Sequence, residues 1–161
     1  MKWLSKVGAV LCLTVVIGCS ETGAPGSGAS SGSRGSVDDP TSEAFFETSV
    51  GDRVFFDVDQ SVLSPAARDI LDGQATWLKG NTEYSVIIEG HADEQGTREY
   101  NLALGARRAN AVREYLMDAG VDADRLQTLS YGKERPVELC SLERCYAQNR
   151  RGVTVLNNIG F

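Results

Sequence analysis

Between residues 85 and 119 the chain passes from a short apolar run, through a polar turn, into a long helix, and this succession constrains the rest. Ser85-Val86-Ile87-Ile88-Glu89-Gly90 has the composition of a buried strand. It breaks at Gly90 and opens into His91-Ala92-Asp93-Glu94-Gln95-Gly96. Thr97 is placed to cap a helix, and residues 98–119 are rich in helix formers and free of proline. At ~100° per residue, Gly105, Ala109, Val112, Leu116 and Ala119 share one stripe, and Arg107 points away from it. Arg108 lies about 60° from the stripe's centre, with Leu104 and Tyr115 on its flank. Of two adjacent arginines, one faces solvent and the other borders the core.

Asp93 sits in the turn before this helix, and Asn101 and Leu104 lie one to two turns nearer its start than Arg108. A fixed anion and a fixed cation beside a small cleft, with an amide and an apolar side chain between them, can grip a zwitterion. Arg108 would take a carboxylate bidentately and Asp93 an ammonium. The same two side chains can instead pair with each other and tie the turn to the helix. Spacing alone leaves both readings open.

The flanking segments supply further elements. Residues 53–59 (Arg53-Val54-Phe55-Phe56-Asp57-Val58-Asp59) read as a strand. Ser64-Pro65 is a cap followed by a proline at the first helical position, and the helix runs to about residue 79 with Ile70, Leu71, Ala75 and Leu78 inward. Strands over 126–131 and 151–156 come next, separated by a short helix within 141–149. Strand and helix alternate throughout, which predicts an α/β (α+β) sandwich, βαβαβ(α)β, with helices packed on one mixed four-stranded sheet.

The run D-x-x-G-x-x-x-x-N-x-x-L-x-x-x-R-A from Asp93 to Ala109 resembles the signature of OmpA-like peptidoglycan-binding domains. The strings GHADEQGT, YNLALGARRANAV, SYGKERP and NRRGV look more narrowly like the peptidoglycan-associated lipoprotein (Pal) family of the Tol-Pal system, over essentially the whole sequence. The resemblance implies a ligand, the diaminopimelate of the peptidoglycan stem peptide, whose side chain carries both an ammonium and a carboxylate. It places Asp93 and Arg108 on that ligand, and Asp59, which matches the family's Phe-Asp strand end, beside them. Asn101 and Leu104 would line the pocket, with Thr97 and the backbone N–H groups of the helix start receiving other carboxylates. On this reading Arg108→Ala weakens wall binding and leaves the fold intact. Three positions depart from the family pattern: Val58 stands where an aromatic is usual, Gln95 where an arginine is frequent, and Arg98 where a proline is frequent.

The chain start fits the same picture. Residues 1–18 hold Lys2, Lys6 and an apolar run too short to span a bilayer, the layout of a secretory signal. The run ends in Val16-Ile17-Gly18-Cys19, which resembles a lipobox, with cleavage before Cys19, a triacylated (palmitate-type) anchor on it, and Ser20 directing export to the outer membrane. Residues 19–42, dominated by Gly and Ser, read as a flexible tether spanning roughly 25 Å r.m.s.. Residues 43–161 are then the OmpA-like domain, facing the periplasm. Removing residues 1–18 takes two lysines and no acid, leaving 14 basic and 22 acidic residues and a net charge of −8. That balance speaks against nucleic acid as a partner. In an exported protein Cys140 and Cys145 are expected to form a disulfide; the rival, a metal site, finds no second cysteine pair or nearby histidine.

His91 is the one histidine of the chain, and the glycines at 23–35 belong to the tether, where they form neither a strand-to-helix nucleophile elbow nor a phosphate cradle. No catalytic residues, metal ligands or cofactor are assigned, and His91 is expected to make a strand-end hydrogen bond. Asp57 and Asp59 read as one solvated and one pocket carboxylate rather than a cation site. Arg150 and Arg151 either pair with acids or serve a protein partner. The resemblance also implies a second partner, the periplasmic β-propeller protein of the Tol system, and a part in envelope integrity and cell division. The alternative is an OmpA-like wall-anchoring lipoprotein outside that system.

Overall fold

Three side-chain caps start the helices. Ser42 Oγ accepts from Phe45 N–H at 3.0 Å, Ser64 Oγ from Ala67 N–H at 3.2 Å, and Thr97 Oγ1 from Tyr100 N–H at 3.2 Å, each quenching a donor that helix geometry leaves open. The computed structural model describes residues 35–158. It contains a short helix α1 (Glu43–Phe45) running into a π-helical turn (Phe46–Gly51), strand β1 (Arg53–Phe55), helix α2 (Pro65–Gly80), strand β2 (Tyr84–His91) and helix α3 (Arg98–Asp118). Strand β3 (Leu126–Gly132), helix α4 (Glu143–Asn149) and strand β4 (Arg151–Asn158) complete the series.

The strands form one mixed four-stranded sheet in the order β1-β4-β2-β3. β4 inserts between β1 and β2, antiparallel to both, and β2 pairs in parallel with β3. Val86 and Ile88 of β2 are buried while Ser85, Ile87 and Glu89 are partly exposed, the alternation of a sheet covered on one face. Leu71 and Leu78 from α2, Val112 and Leu116 from α3, and Val54, Val86, Ile88 and Leu156 from the sheet share one core. Each buried aliphatic side chain contributes about 1.5–3 kcal/mol by leaving water. Gln74, fully buried among them, donates to Gly51 O at 2.7 Å and accepts from Thr154 Oγ1 at 2.8 Å, so its amide costs little.

Three expectations are corrected by the fold. The tether does not extend to residue 42: residues 35–42 form turns whose Pro40 and Thr41 carbonyls accept from Trp77 Nε1 (2.7 Å) and the Tyr84 hydroxyl (3.2 Å). Gly/Ser composition conceals this, because backbone carbonyls rather than side chains make the attachment. The first strand stops at Phe55 rather than Asp59, since the carbonyls of Asp57 and Gln60 are taken by Arg108 and Asp59 adopts φ 60°. Arg108 itself is wholly buried, with the 57–60 loop folded over the flank that helix geometry alone leaves at the core's border. The proposed leader and the lipidation residue Cys19 lie outside the described residues.

Cys140 and Cys145 are joined by a disulfide at the entrance to α4, with their Cα atoms 5.8 Å apart. At the C-terminal end of α2, Arg125 donates to the carbonyls of Tyr84, Leu78 and Asn81 at 2.8–2.9 Å, satisfying the last turn of that helix.

Candidate functional site

Where β1 ends and α3 begins, three segments meet around a cleft of ≈ 280 Å³. The loop after β1 supplies Val58 and Asp59, the β2–α3 turn supplies Asp93, Gln95 and Gly96, and the first turns of α3 supply Tyr100, Asn101 and Leu104. The turn is held from several sides. Gly96 takes φ 87°, a conformation that side chains disfavour. Asn101, almost wholly buried, donates through Nδ2 to Gln95 O at 2.7 Å, and Lys133 Nζ reaches Gly96 O at 2.7 Å. Gln95 N–H donates to Asp93 Oδ1 at 3.2 Å.

The two cleft carboxylates differ in setting. Asp59 is exposed, sits in the left-handed region, and accepts a hydrogen bond from the Tyr100 hydroxyl. That bond raises Tyr100 above the ordinary phenol range, with Arg107, 5.8 Å from the Tyr100 ring centroid, acting in the opposite sense. Asp93 is buried and its Oδ2 pairs with Arg150 Nη1 at 3.2 Å. Arg150 also donates to Phe56 O at 3.1 Å and to Glu143 Oε1 at 2.5 Å. Burial opposes its charge, but Glu143 and Asp93 together outweigh burial and hold its pKa above the usual guanidinium value.

Arg108 lies beneath this arrangement. Its Nε, Nη1 and Nη2 donate to Gln60 O (2.8 Å), His91 O (2.8 Å) and Asp57 O (3.0 Å), and its guanidinium carbon is 5.2 Å from the Phe56 ring centroid. Burial pulls its pKa down to about 10, against the attraction of Asp93 and with the repulsion of Arg150, so it remains a cation at neutral pH.

Of the six residues assigned to the ligand from the sequence, Asp59, Asp93, Asn101 and Leu104 converge on the cleft. Thr97 and Arg108 do not line it: the Thr97 hydroxyl is engaged as the α3 cap, and Arg108 is enclosed by backbone carbonyls. Asp93 is paired with Arg150 and not with Arg108. Asp57 faces a neighbouring groove rather than the cleft. Sequence reasoning alone misses Tyr100 and leaves Arg150 undecided; the signal available for Arg150 is a pair of arginines at the threshold of the last strand. Arg151 donates to the Asn149 and Arg135 carbonyls.

His91 does not make the expected hydrogen bond. Both ring nitrogens are buried without a hydrogen-bond partner, with Glu89 Oε2 at 3.5 Å beyond bonding geometry, and the ring stacks on Tyr131 at 5.5 Å. The register shift between Gly90 and His91 accompanies this inward placement. Burial first, then Arg151 and Arg135, lowers the His91 pKa to about 4. Between pH 6.5 and about 4 the unfolded chain therefore binds a proton at His91 that the folded chain refuses, so stability falls as pH falls through that window. The loss approaches about 3 kcal/mol at its lower end. Urea unfolding of His91→Phe beside the parent protein checks this: the parent should lose stability relative to the variant below pH 6, and parallel curves would refute it.

The sequence profile of the OmpA family matches residues 55–150. A peptidoglycan-associated lipoprotein of Brucella melitensis is 48% identical over 153 residues, covering 94% of this chain and 91% of that protein. One from Pseudomonas aeruginosa is 43% identical over 163 residues, covering 94% of this chain and 95% of that protein. The crystal structure of the peptidoglycan-associated lipoprotein from Burkholderia pseudomallei is similar with a TM-score of 0.67 and 38% identity, covering 75% of this chain and 98% of that one. The C-terminal domain of Helicobacter pylori MotB shares the fold at a TM-score of 0.62 and 18% identity, covering 66% of this chain and 84% of that one.

Proposed function

Because the chain belongs to the OmpA family, and within it to the peptidoglycan-associated lipoproteins, we propose that it binds peptidoglycan non-covalently through the diaminopimelate of the stem peptide. The observation that carries this reading is the cleft itself: two carboxylates, Asp59 and Asp93, on its walls, with two buried guanidiniums, Arg108 and Arg150, around it. Such a cleft attracts an ammonium at its walls while the cations favour a carboxylate on the same ligand.

In this reading Asp93 and Asp59 receive the ammonium, and Asn101 and Leu104 shape the space between. Arg108, wholly buried and committed to three backbone carbonyls, fixes the 57–60 loop, and its charge favours the ligand carboxylate from behind the cleft wall. Thr97 keeps the helix start in place, so that the N–H groups of the first α3 turn receive a further carboxylate of the stem. The protein acts by holding rather than by chemistry. Anchored through lipid on Cys19 in the outer membrane and joined by the Gly/Ser-rich tether to the domain, many copies together secure the membrane to the wall, each bond individually modest. The periplasmic β-propeller protein of the Tol system is the second partner, in the service of envelope integrity and cell division.

Co-sedimentation of the purified protein with isolated sacculi tests the proposal. The parent protein should pellet with the wall, and Asp59→Asn and Asp93→Asn should each retain about tenfold less, the cost of a charge-assisted hydrogen bond. A parent protein left in the supernatant would sink the wall reading. Fragments released from the walls during incubation would show that the protein cleaves what it holds.

A further inference from the structure

Beside the cleft, and sharing Val58 with it, runs a larger groove of ≈ 760 Å³ lined by Asp57, Val62, Leu63, Pro65, Glu143 and Arg150. Arg150 stands between the two hollows. Its Nη1 holds Asp93 of the cleft and its Nη2 holds Glu143 of the groove, while its own side chain is only 6% exposed. Glu143 is attached differently: its side chain is 66% exposed and is held by its ion pair with Arg150. A solvated carboxylate resting on a buried guanidinium occupies the place that a ligand carboxylate would take, and it can swing into water at small cost.

Resting on the diaminopimelate reading above, we propose that this groove is a second subsite of the same ligand. It takes the residue that comes after diaminopimelate when that residue has a small apolar side chain and a free carboxylate. Its carboxylate displaces Glu143 from Arg150. The cleft and the groove share Val58, so a peptide whose ammonium-bearing side chain sits between Asp59 and Asp93 has the groove beside it for its next residue, an advance of ~3.3–3.6 Å. There the exposed side chains of Val58 and Val62 offer a methyl-sized apolar wall, and Arg150 is the buried cation within it. A stem peptide of four residues ending in alanine meets both requirements, whereas one whose terminal carboxylate is amidated or extended meets only the first. Glu143 is thus a built-in competitor that makes the site select trimmed stems.

The test is calorimetric titration of the purified protein with two peptides, Ala–γ-Glu–diaminopimelate–Ala with its terminal carboxylate free, and the same peptide as the terminal amide. The free acid should bind more tightly by about two- to fivefold, the range of a solvent-screened ion pair. Glu143→Gln, at an exposed side chain, should tighten the acid by a similar factor and leave the amide unchanged. Val62→Asp, also at an exposed position, should weaken the acid more than the amide. Acid and amide binding alike, with Glu143→Gln shifting neither, would overturn the subsite while leaving the clamp standing. Equal weakening of both peptides by Glu143→Gln would also overturn it, making Glu143 a support for Arg150 instead of a competitor. If neither peptide binds the parent protein, the clamp fails and the subsite with it.

Discussion

Arg108→Ala should lower the unfolding free energy by about 3–5 kcal/mol, read as a shift in the urea midpoint at pH 7. The side chain is wholly buried, and its removal strips donors from the carbonyls of Asp57, Gln60 and His91 while leaving a cavity beside Phe56. Each carbonyl abandoned in the interior costs about 1–3 kcal/mol unless water reaches it, and the exposed 57–60 loop admits some water, which keeps the total below the simple sum. Arg108→Lys should recover only part of the loss, because one ammonium cannot span three carbonyls that a planar guanidinium reaches together. The burial of Arg108 replaces the expectation that Arg108→Ala spares the fold with a predicted loss of stability. It also means that loss of wall binding in that variant does not by itself identify a ligand contact, whereas Asp59→Asn does. A midpoint unchanged within about 0.5 kcal/mol would refute the structural role.

Gly90→Ala should be more damaging still, by about 3 kcal/mol or more, to the point of yielding little folded protein. A Cβ at residue 90 would stand 1.8 Å from the carbonyl oxygen of Gly105 and 3.2 Å from the Ala109 Cβ. The first obstacle is helix backbone, so relief requires α3 to lift from β2. Because Asn101 and Leu104 ride on α3, any surviving folded fraction should also bind the wall less well. Gly105→Ala meets Ser130 Oγ at 2.4 Å and Gly90 O at 2.7 Å. Ser130 Oγ can turn aside only by giving up its bond to Leu102 O, and Gly90 O is strand backbone, but both stand farther off than the 1.8 Å obstacle at residue 90, so a smaller loss is expected there. Circular dichroism melts of the two variants order them, and a Gly90→Ala protein as stable as Gly105→Ala would contradict the close approach of helix and strand.

Much of this molecule was legible from local patterns. Ser64 with Pro65 and Thr97 predicted the starts of α2 and α3 because capping is settled within four residues. The apolar runs at 85–90 and 151–156 predicted strands, which the structure extends to Tyr84–His91 and Arg151–Asn158, and their alternation with helices predicted a mixed sheet. The spacing from Asp93 to Leu104 located most of the cleft, since a turn and the first two turns of a helix are rigid enough for sequence distance to stand for spatial distance.

The partners of the charged groups were of another kind. Asp93 takes Arg150, 57 residues away, because β4 enters the sheet between β1 and β2 and carries the end of α4 to the cleft. Arg108 is buried because the loop after β1 folds over it, and Asp59 reaches the cleft by a left-handed turn that a strand pattern does not foretell. The sequence by itself determined where helices and strands begin and which faces they bury, since period and capping act over a few residues. Which cation answers which anion, and which of them water can still reach, was decided by tertiary structure alone, because pairing and desolvation depend on what the completed sheet and its loops bring within a few ångströms.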